Sequence, residues 1–514
     1  MYLFNSLNEK QYNFLNYLLL LIFFFYSVNF YRYVYDPHHF GLMFSNAVDL
    51  LKNKKPYSEI FIQYGILTTF LHALIIKFIG QEVFYLNVFT ILLYTLTIFI
   101  IGNTAKILTN NYYSFLVVLV LILNHPIIWL PWSNYVAYFF LSLSIYFLVK
   151  NKFNDNYLFG FFLVTAILAR QDYFLPLILF FLIFILIKLI FRKSFFYKNL
   201  ISFVIPLFFF FLYLTLNDVY YDWKKTIELP KLYIEYRNTN IFSLIYNFIY
   251  FFITKTFFNF INLPQYCLIL FILTINFIFL YFSLIKKNYE IFCLTLLTFL
   301  LCSVSINLEL FRLYTSVSFG IITTVIFLHQ QKNLLIKNYI ASLILFFSIF
   351  SIFFYPSGNN PQFNKIIKED VVLSKNKFLK HINVNKSYEN GYLVLNSLID
   401  TIYNNCNILY AENLTFDTML SVMIKKDRLR FKPYVKSDSK NDRLETFFDN
   451  QFISKINNNL TLNNTIIISE FENLKYDIGI INLPNNYHFK SINFNYSEEK
   501  PKFIYVYYPK ECML

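Results

Sequence analysis

The sequence predicts an all-α polytopic membrane protein of about 11 transmembrane helices, followed by a soluble α/β or α+β domain. Of the 514 residues, 57% are hydrophobic and only 14% are charged, whereas soluble domains carry about 25% charged residues. Apolar runs of bilayer length recur up to residue 355, and the chain beyond them is polar and mixed. The motif PSGNNP at 356–361 is the expected boundary between a membrane domain (1–355) and a soluble domain (356–514).

The apolar runs can be assigned to crossings in order. The first run has no small-residue cleavage site after it, which favours an uncleaved signal anchor with the N-terminus inside. The run 61–80 contains Gln63, His72 and Lys77, and we expect it not to cross. With that choice, nearly every basic cluster between spans lies on one side, as the positive-inside rule requires. The runs assigned to crossings are 12–31, 82–102, 113–130, 134–149, 157–169, 173–191, 199–217, 266–285, 290–305, 311–328 and 337–355.

This topology predicts an integral protein of the bacterial inner (plasma) membrane with an extracytoplasmic C-terminal domain. The run 242–260 is open between a surface helix and a further span. The net charge is +14, but basic clusters separated by apolar spans cannot form one continuous phosphate-binding face, so no nucleic acid partner is expected. The cysteines contain no close CxxC pair, which favours neither a metal site nor a disulfide framework. A single Cys406–Cys512 bridge in the outward-facing tail remains open.

Three polar stretches interrupt the apolar chain. They are the loop 32–64, the segment LARQDYF at 168–174 and the segment INLELFRLYTS at 306–316. Charged groups close to hydrocarbon usually face a cavity or one another, and all three stretches fall on the outer face in the predicted topology. The pattern therefore predicts a single polar site at the outer ends of the helices.

Asp36 is the candidate catalytic residue of the first stretch. Pro37 fixes the local backbone and biases Asp36 away from helix, so its carboxylate should lie on a turn at the water interface. The functional interpretation is a general base that deprotonates an acceptor hydroxyl, and the alternative is a helix-capping carboxylate. One of His38 and His39 could assist Asp36 or bind a phosphate. Together with a carboxylate they could also hold a divalent cation.

The remainder of the loop has a helical apolar pattern. Residues 40–53 carry apolar side chains near helical spacing, which predicts an amphipathic helix on the membrane surface with Asp49 on its wet face. Lys52, Lys54 and Lys55 follow it; they are either a solvated end or a group that attracts the phosphate of an anionic lipid.

Arg170 and Arg312 are stronger phosphate candidates. A guanidinium presents a planar fork of donors and stays charged when partly buried. Each has a carboxylate close in sequence, Asp172 and Glu309 respectively. Structural ion pairs that let polar residues sit in the bundle are therefore the open alternative.

Residues 36–80 carry a family resemblance. Their order is Asp-Pro-His-His, then a helix ending in DLLKNKKPYSEIF, then QYGILTTFLHALIIKFIG and a new span. This order resembles the opening of the GT-C glycosyltransferases, polytopic enzymes related to protein mannosyltransferases and lipid A aminoarabinose transferases. The stretches PWSNYVAYFFLSLSIYFL (131–148) and LARQDYF and the element Arg312-Leu-Tyr314 are similar to later parts of such chains, so the resemblance covers roughly residues 10–330. Two departures are the Pro-His-His that follows Asp36, where another acid is often found, and Ile66, where proline is common.

The resemblance implies that a sugar is transferred, with inversion, from a polyprenyl-phosphate donor to a glycan, lipid or protein acceptor at the outer membrane face. Asp36 would be the base, and membrane lipids are further expected partners. No cofactor is assigned with certainty, a divalent cation is possible, and no metal ligands are assigned. The substrate-binding candidates are His38, His39, Lys55, Gln63, Tyr64, Arg170, Asp172, Glu309, Arg312 and Tyr314.

Other classes of function share these features. A lipid-linked oligosaccharide flippase or other transporter would also have many spans and intramembrane arginines, but transporters often show internal repeats, and none is visible in this sequence. An O-antigen polymerase or ligase-like enzyme would share the substrate class. An inactive membrane scaffold is the remaining alternative.

Overall fold

The computed structural model describes residues 7–30, 32, 36–125, 130–192, 196–236, 264–303, 310–354, 371–415, 417–424, 426–429, 452–476, 479–494 and 503–513. The predicted boundary at 356–361, the run 242–260 and Glu309 lie outside these residues, and so does the side chain of Arg312.

The part of the chain before residue 355 is helical. Its helices are α1 (Glu9–Phe30), α2 (Pro37–Leu51), α3 (Ile66–Phe78), α4 (Val83–Leu108), α5 (Asn111–Leu123), α6 (Ser133–Lys150), α7 (Tyr157–Ala169), α8 (Phe174–Arg192), α9 (Tyr197–Leu216), α10 (Tyr220–Tyr236), α11 (Pro264–Ile285), α12 (Tyr289–Cys302), α13 (Leu310–Gln330) and α14 (Leu334–Phe354). Each run assigned to a crossing overlaps one of these helices. Among the described residues, seven helices are long and apolar enough to cross a membrane, namely α1, α4, α8, α9, α11, α13 and α14. The protein is therefore membrane-embedded, and the number of crossings beyond these seven stays a prediction.

The packing of the helices is that of a membrane bundle. Large apolar side chains such as Phe14, Leu182 and Phe208 are exposed on the outside, where lipid would cover them. Polar side chains bond inside the bundle instead, as when the Asn276 amide donates to the Gly320 carbonyl oxygen at 2.9 Å. Because lipid cannot satisfy polar groups, such interhelical hydrogen bonds hold membrane helices together.

The helix α3 is as short as α5 and α7, which are assigned to crossings, so the prediction that it does not cross stays a prediction. Its 13 residues rise only about 20 Å, less than the ~30 Å hydrocarbon core. It begins against the last residue of α7, where the Thr68 hydroxyl donates to the Ala169 carbonyl oxygen at 2.9 Å. Residues 79–82 then connect it to α4, whose first amide, on Val83, donates to the carbonyl oxygen of Phe378 in the tail at 2.9 Å.

The tail contains helices and short strands, as an α+β domain would. Its elements are β1 (Val371–Leu373), β2 (Asn383–Asn385), α15 (Lys386–Asn405), β3 (Tyr410–Leu414), α16 (Met419–Met423), α17 (Phe452–Leu460), β4 (Thr465–Ser469), β5 (Lys475–Tyr476), β6 (Gly479–Ile480), β7 (Tyr487–Asn493) and β8 (Phe503–Pro509). The four-stranded sheet has the order β3-β4-β8-β7. The β3–β4 pair is parallel, and β8 is antiparallel to both of its neighbours.

Four β-rich runs of the tail sequence predict strands, YLVLNSL (392–398), NTIIISEF (464–471), YDIGIINL (476–483) and KFIYVYY (502–508), and the prediction is partly right. The runs NTIIISEF and KFIYVYY contain β4 and β8. The run YLVLNSL (392–398), expected as a strand, is instead part of α15. The reason is its longer context, because buried Tyr388, Tyr392, Leu395, Ile399 and Ile402 recur every three or four residues along one helix face.

Two features hold the tail together. Cys406, directly after α15, and Cys512, after β8, form the disulfide that the sequence left open. Asp417 is buried, and its Oδ2 accepts hydrogen bonds from the hydroxyls of Tyr388 and Tyr392. Burial raises the pKa of the Asp417 carboxyl to about 6, because removal from water penalises the charged form more than these hydrogen bonds favour it.

The tail packs directly on α2. Gly41 faces the start of α16 so closely that a Cβ there would lie 2.1 Å from the Met419 nitrogen. The Thr418 hydroxyl donates to the carbonyl oxygens of Pro37 and His38. The predicted wet face of α2 is therefore wrong, since the tail covers the polar side of the helix, and the location of α2 at the membrane surface stays a prediction.

The far end of α2 is also covered by the tail. Asp49, expected on a wet face, is 7% exposed and forms an ion pair with Arg428 of the tail. Lys54 lies 3.2 Å from Asp49 and 3.5 Å from Asp427. Lys54 therefore contributes to the contact between α2 and the tail. The interpretation of the lysines as a solvated helix end did not predict this contact.

Candidate active site

Asp36 is both the cap of α2 and one half of a side-chain pair. Its backbone is extended (φ −119°, ψ 102°) and Pro37 follows as the first helical residue, as the Asp-Pro sequence predicts. Its Oδ1 accepts the backbone amides of His38 and His39 at 2.9 and 3.1 Å. Asp36 therefore does cap the helix, as the alternative interpretation predicted. These hydrogen bonds hold its carboxylate at the positive end of the helix dipole.

The second oxygen of Asp36 is bound to His39. Nδ1 of His39 lies 2.7 Å from Oδ2 of Asp36. The His39 ring also packs edge-on against Trp132, with ring centroids 4.8 Å apart. The carboxylate and the indole contact different parts of the imidazole, so they hold its orientation. Of the two histidines, His39 is the one whose side chain partners Asp36.

The electrostatics of the pair favour an ionised carboxylate. Burial acts to raise the pKa of Asp36, but the charge of His39, the hydrogen bonds from its ring and backbone, and the charge of His38 together lower it. The side chain of Asp36 is 15% exposed and that of His39 is 28% exposed. The histidine is therefore the more accessible member of the pair.

His38 has a different environment. It is 6% exposed, its carbonyl oxygen accepts the hydroxyl of Thr418, and its ring lies 4.9 Å from that of His39. The first turn of α2 thus places His38 inside the protein and His39 at the more open position. This divergence of neighbouring side chains is what helical geometry requires.

A second group of predicted residues gathers around Arg170. The guanidinium is 2% exposed, donates to Asp172, and lies 5.6 Å from the ring centroid of Tyr64 and 5.5 Å from that of Tyr173. The Gln171 amide side chain donates to the carbonyl oxygen of Gln63 at 2.6 Å. The loop 32–64 and the segment 168–174 therefore meet, although they are more than a hundred residues apart in sequence.

The Arg170–Asp172 pair matches the structural ion-pair alternative. Both partners nevertheless keep an atom buried without a hydrogen-bond partner among the described residues, namely Nε of Arg170 and Oδ1 of Asp172. Buried donors and acceptors are nearly always satisfied in native proteins. The arginine therefore retains one buried donor that an anionic ligand could satisfy.

The two groups are joined through α2. Leu42 on α2 and Phe61 form a small buried cluster against which Tyr64 packs, and the Asn46 amide donates to the Phe61 carbonyl oxygen at 2.8 Å. Leu42 lies six positions after Asp36, a rise of about 9 Å along the helix. The Asp36–His39 pair thus begins α2, and the Arg170 group is connected to the same helix through Tyr64.

The other predicted site residues lie elsewhere or are not described. Lys55 is exposed, and its backbone amide donates to the carboxylate of Glu59. Tyr314 is buried within the bundle, where its hydroxyl bonds Tyr94 at 3.1 Å and the carbonyl oxygen of Leu121. Glu309 lies outside the described residues, and nothing can be said of the side chain of Arg312. The predicted convergence of all three polar stretches is therefore seen for the first two.

Trp132 and Thr418 are site residues that sequence reasoning missed. Trp132 could have been found, because tryptophan is rare in this chain and Pro131-Trp132 begins a span on the predicted outer face. Thr418 carries no such signal, since its contact with His38 joins residues 380 positions apart. The contact between Thr418 and His38 is therefore visible only in the folded structure, where the tail brings Thr418 to α2.

Among the described residues, no group of three or more His, Cys, Asp or Glu side chains is arranged to hold a metal ion. The possible divalent cation stays a prediction from the sequence. No known protein-family model matches the chain, and no curated protein matches it either.

Proposed function

We propose that the chain transfers a sugar from a polyprenyl-phosphate donor to a hydroxyl-bearing acceptor, a glycan, a lipid or a protein, at the outer face of the membrane. The reaction is a single displacement, so it inverts the anomeric carbon. Asp36 is the catalytic carboxylate of the acceptor side, and Arg170 serves the phosphate side. The donor's lipid chain would lie in the bilayer beside the bundle.

The observation that carries the proposal is the Asp36–His39 pair at the head of α2. A carboxylate and an imidazole 2.7 Å apart form a proton-accepting unit, which in the proposed topology lies at the membrane boundary. Trp132 beside His39 offers an aromatic ring on which the apolar C–H face of a sugar ring could pack.

Arg170 is the residue proposed to bind the phosphate of the donor. Its buried Nε without a protein partner is a charged donor already removed from water. In such an environment a hydrogen bond to developing phosphate charge is worth about 3–4 kcal/mol. Tyr64 and Tyr173 keep the guanidinium in place through its planar faces.

The test is a transfer assay on membranes that contain the full-length protein. They are given a panel of labelled polyprenyl-phosphate hexoses, and label in acceptor material is measured. Asp36→Asn should lower the rate about 10²–10⁴-fold, while the helix survives because asparagine caps as well as aspartate. Asp155→Asn is the matched control, since Asp155 also accepts the backbone amides that begin a helix, those of Lys198 and Asn199, but lies in the loop between α6 and α7 at the opposite end of α7 from Ala169.

Each outcome has a distinct meaning. Wild-type transfer that is lost in Asp36→Asn and kept in Asp155→Asn supports the assignment. Full transfer by Asp36→Asn would remove Asp36 from the mechanism. Movement of the lipid-linked sugar between leaflets without transfer would instead favour the flippase alternative.

A further inference from the structure

The bonding of Asp36 fixes the chemistry of its histidine partner. An ionised carboxylate can only accept hydrogen bonds, so Nδ1 of His39 must carry the proton of the 2.7 Å contact. The neutral imidazole then has an unprotonated Nε2 with a free lone pair. The two backbone amides that Oδ1 of Asp36 accepts favour its ionised form, which supports this tautomer.

The carboxylate itself is already occupied. It accepts two backbone amides at Oδ1 and the imidazole at Oδ2, which are three of the roughly four positions at which a carboxylate can accept. It is also the less exposed of the two side chains, 15% against 28%. An incoming hydroxyl would therefore meet the imidazole more readily than the carboxylate.

We infer that Nε2 of His39, rather than the carboxylate of Asp36, accepts the proton of the acceptor hydroxyl, and that Asp36 is its positioning residue. The inference rests on the proposed sugar transfer. Nε2 takes the proton as the hydroxyl oxygen attacks the anomeric carbon. The bond between that carbon and the phosphate oxygen breaks, and its electron pair leaves with the polyprenyl phosphate. The imidazolium formed is stabilised by Asp36 and later releases its proton to water.

The first experiment compares His39→Asn with wild type in the transfer assay. The asparagine amide can still donate to Asp36 and keep the cap, but it offers no base. We expect a rate about 10²–10⁴-fold lower. His329→Gln is the control, because His329 is exposed at the end of α13 and its ring lies 5.6 Å from that of Tyr113, which begins α5, away from Asp36.

A pH profile separates a base from a structural residue. The wild-type rate should fall on acidification, because a protonated imidazole cannot accept a proton, and this acidic limb should be absent from the residual activity of His39→Asn. The titratable groups seen against His39 are Asp36 and His38, and Trp132 from the segment before α6 adds no charge. His39→Asn with near wild-type transfer, or with the acidic limb intact, would overturn the inference while leaving the sugar transfer standing.

A spectroscopic readout does not depend on turnover. The ¹⁵N shifts of labelled His39 should show a protonated Nδ1 and an unprotonated Nε2 in wild type. In Asp36→Asn, the amide can donate to Nδ1 and so place the proton on Nε2, a change of tautomer known to disable histidine bases. A wild-type His39 with its proton on Nε2 would contradict the inference, whereas the absence of transfer by wild type would refute the proposed function itself.

Discussion

The contact between Gly41 and the start of α16 gives the sharpest test of how the tail is docked. A Cβ at position 41 would lie 2.1 Å from the Met419 nitrogen and 2.4 Å from the Thr418 carbonyl carbon. These are backbone atoms, so no side-chain rotation can relieve the overlap. Since ordinary contact begins at 3.4 Å, Gly41→Ala requires the two backbones to separate by about 1.3 Å, in a region packed too tightly to absorb it.

The cost of that separation can be worked out from its contacts. The single Thr418 hydroxyl proton would lose the donation that it shares between the carbonyl oxygens of Pro37, at 3.0 Å, and His38, worth about 1 kcal/mol in all. Overpacking typically costs a further 1–3 kcal/mol. We therefore expect Gly41→Ala to lower the free energy of unfolding by about 2–4 kcal/mol and to increase hydrogen exchange in α16 and in the first turn of α2.

The assay is thermal unfolding of the full-length protein in detergent, combined with hydrogen exchange. Gly80→Ala is the matched control, because the nearest contacts of a Cβ there are atoms of the Tyr85 ring, which can swing away. Its effect should stay below about 1 kcal/mol. If Gly41→Ala were as stable as Gly80→Ala, with unchanged exchange in α16, the close docking described for the tail would be refuted.

Three further predictions concern buried polar groups and the disulfide. Because the folded tail holds the Asp417 proton at a pKa of about 6 against an ordinary 3.8, the free energy of unfolding should fall by about 2 kcal/mol as pH rises from 4 to 6; denaturation at several pH values should show this slope in wild type and not in Asp417→Asn. Reduction of Cys406–Cys512, which closes a loop of 106 residues, should lower the free energy of unfolding by about 3–5 kcal/mol and should have no effect on a variant with both cysteines replaced by serine. Arg170→Met should lower the free energy of unfolding by about 2–3 kcal/mol, less than for a fully buried pair because Asp172 is 25% exposed. The double variant Arg170→Met with Asp172→Asn should regain much of this stability, which a double-mutant cycle measures.

Local rules predicted the parts of the site that are local in sequence. Asp36 before Pro37 gave a capped turn at the start of a helix, and the structure has it. The carboxylate near Arg170 in sequence gave an ion pair, and Asp172 forms it. The apolar runs likewise gave the helices, because their length and composition alone decide that they are helical in a membrane.

Long-range contacts explain what the sequence could not predict. The helical pattern of residues 40–53 indicated a surface helix with a wet Asp49, whereas Arg428 of the tail covers that carboxylate. An amphipathic pattern indicates that one helix face is polar. It does not indicate whether water or another part of the protein covers that face.

The tail is therefore part of the candidate site rather than a module attached beside it. Thr418 bonds the carbonyl oxygens of the two residues that follow Asp36, and Arg428 holds the opposite end of the same helix. A helix anchored at both ends cannot rotate about its axis, and rotation is the motion that would move His39 relative to Trp132. Since catalysis depends on placing a proton acceptor within tenths of an ångström of its substrate, the docking of the tail and the orientation of the Asp36–His39 pair should be lost or kept together.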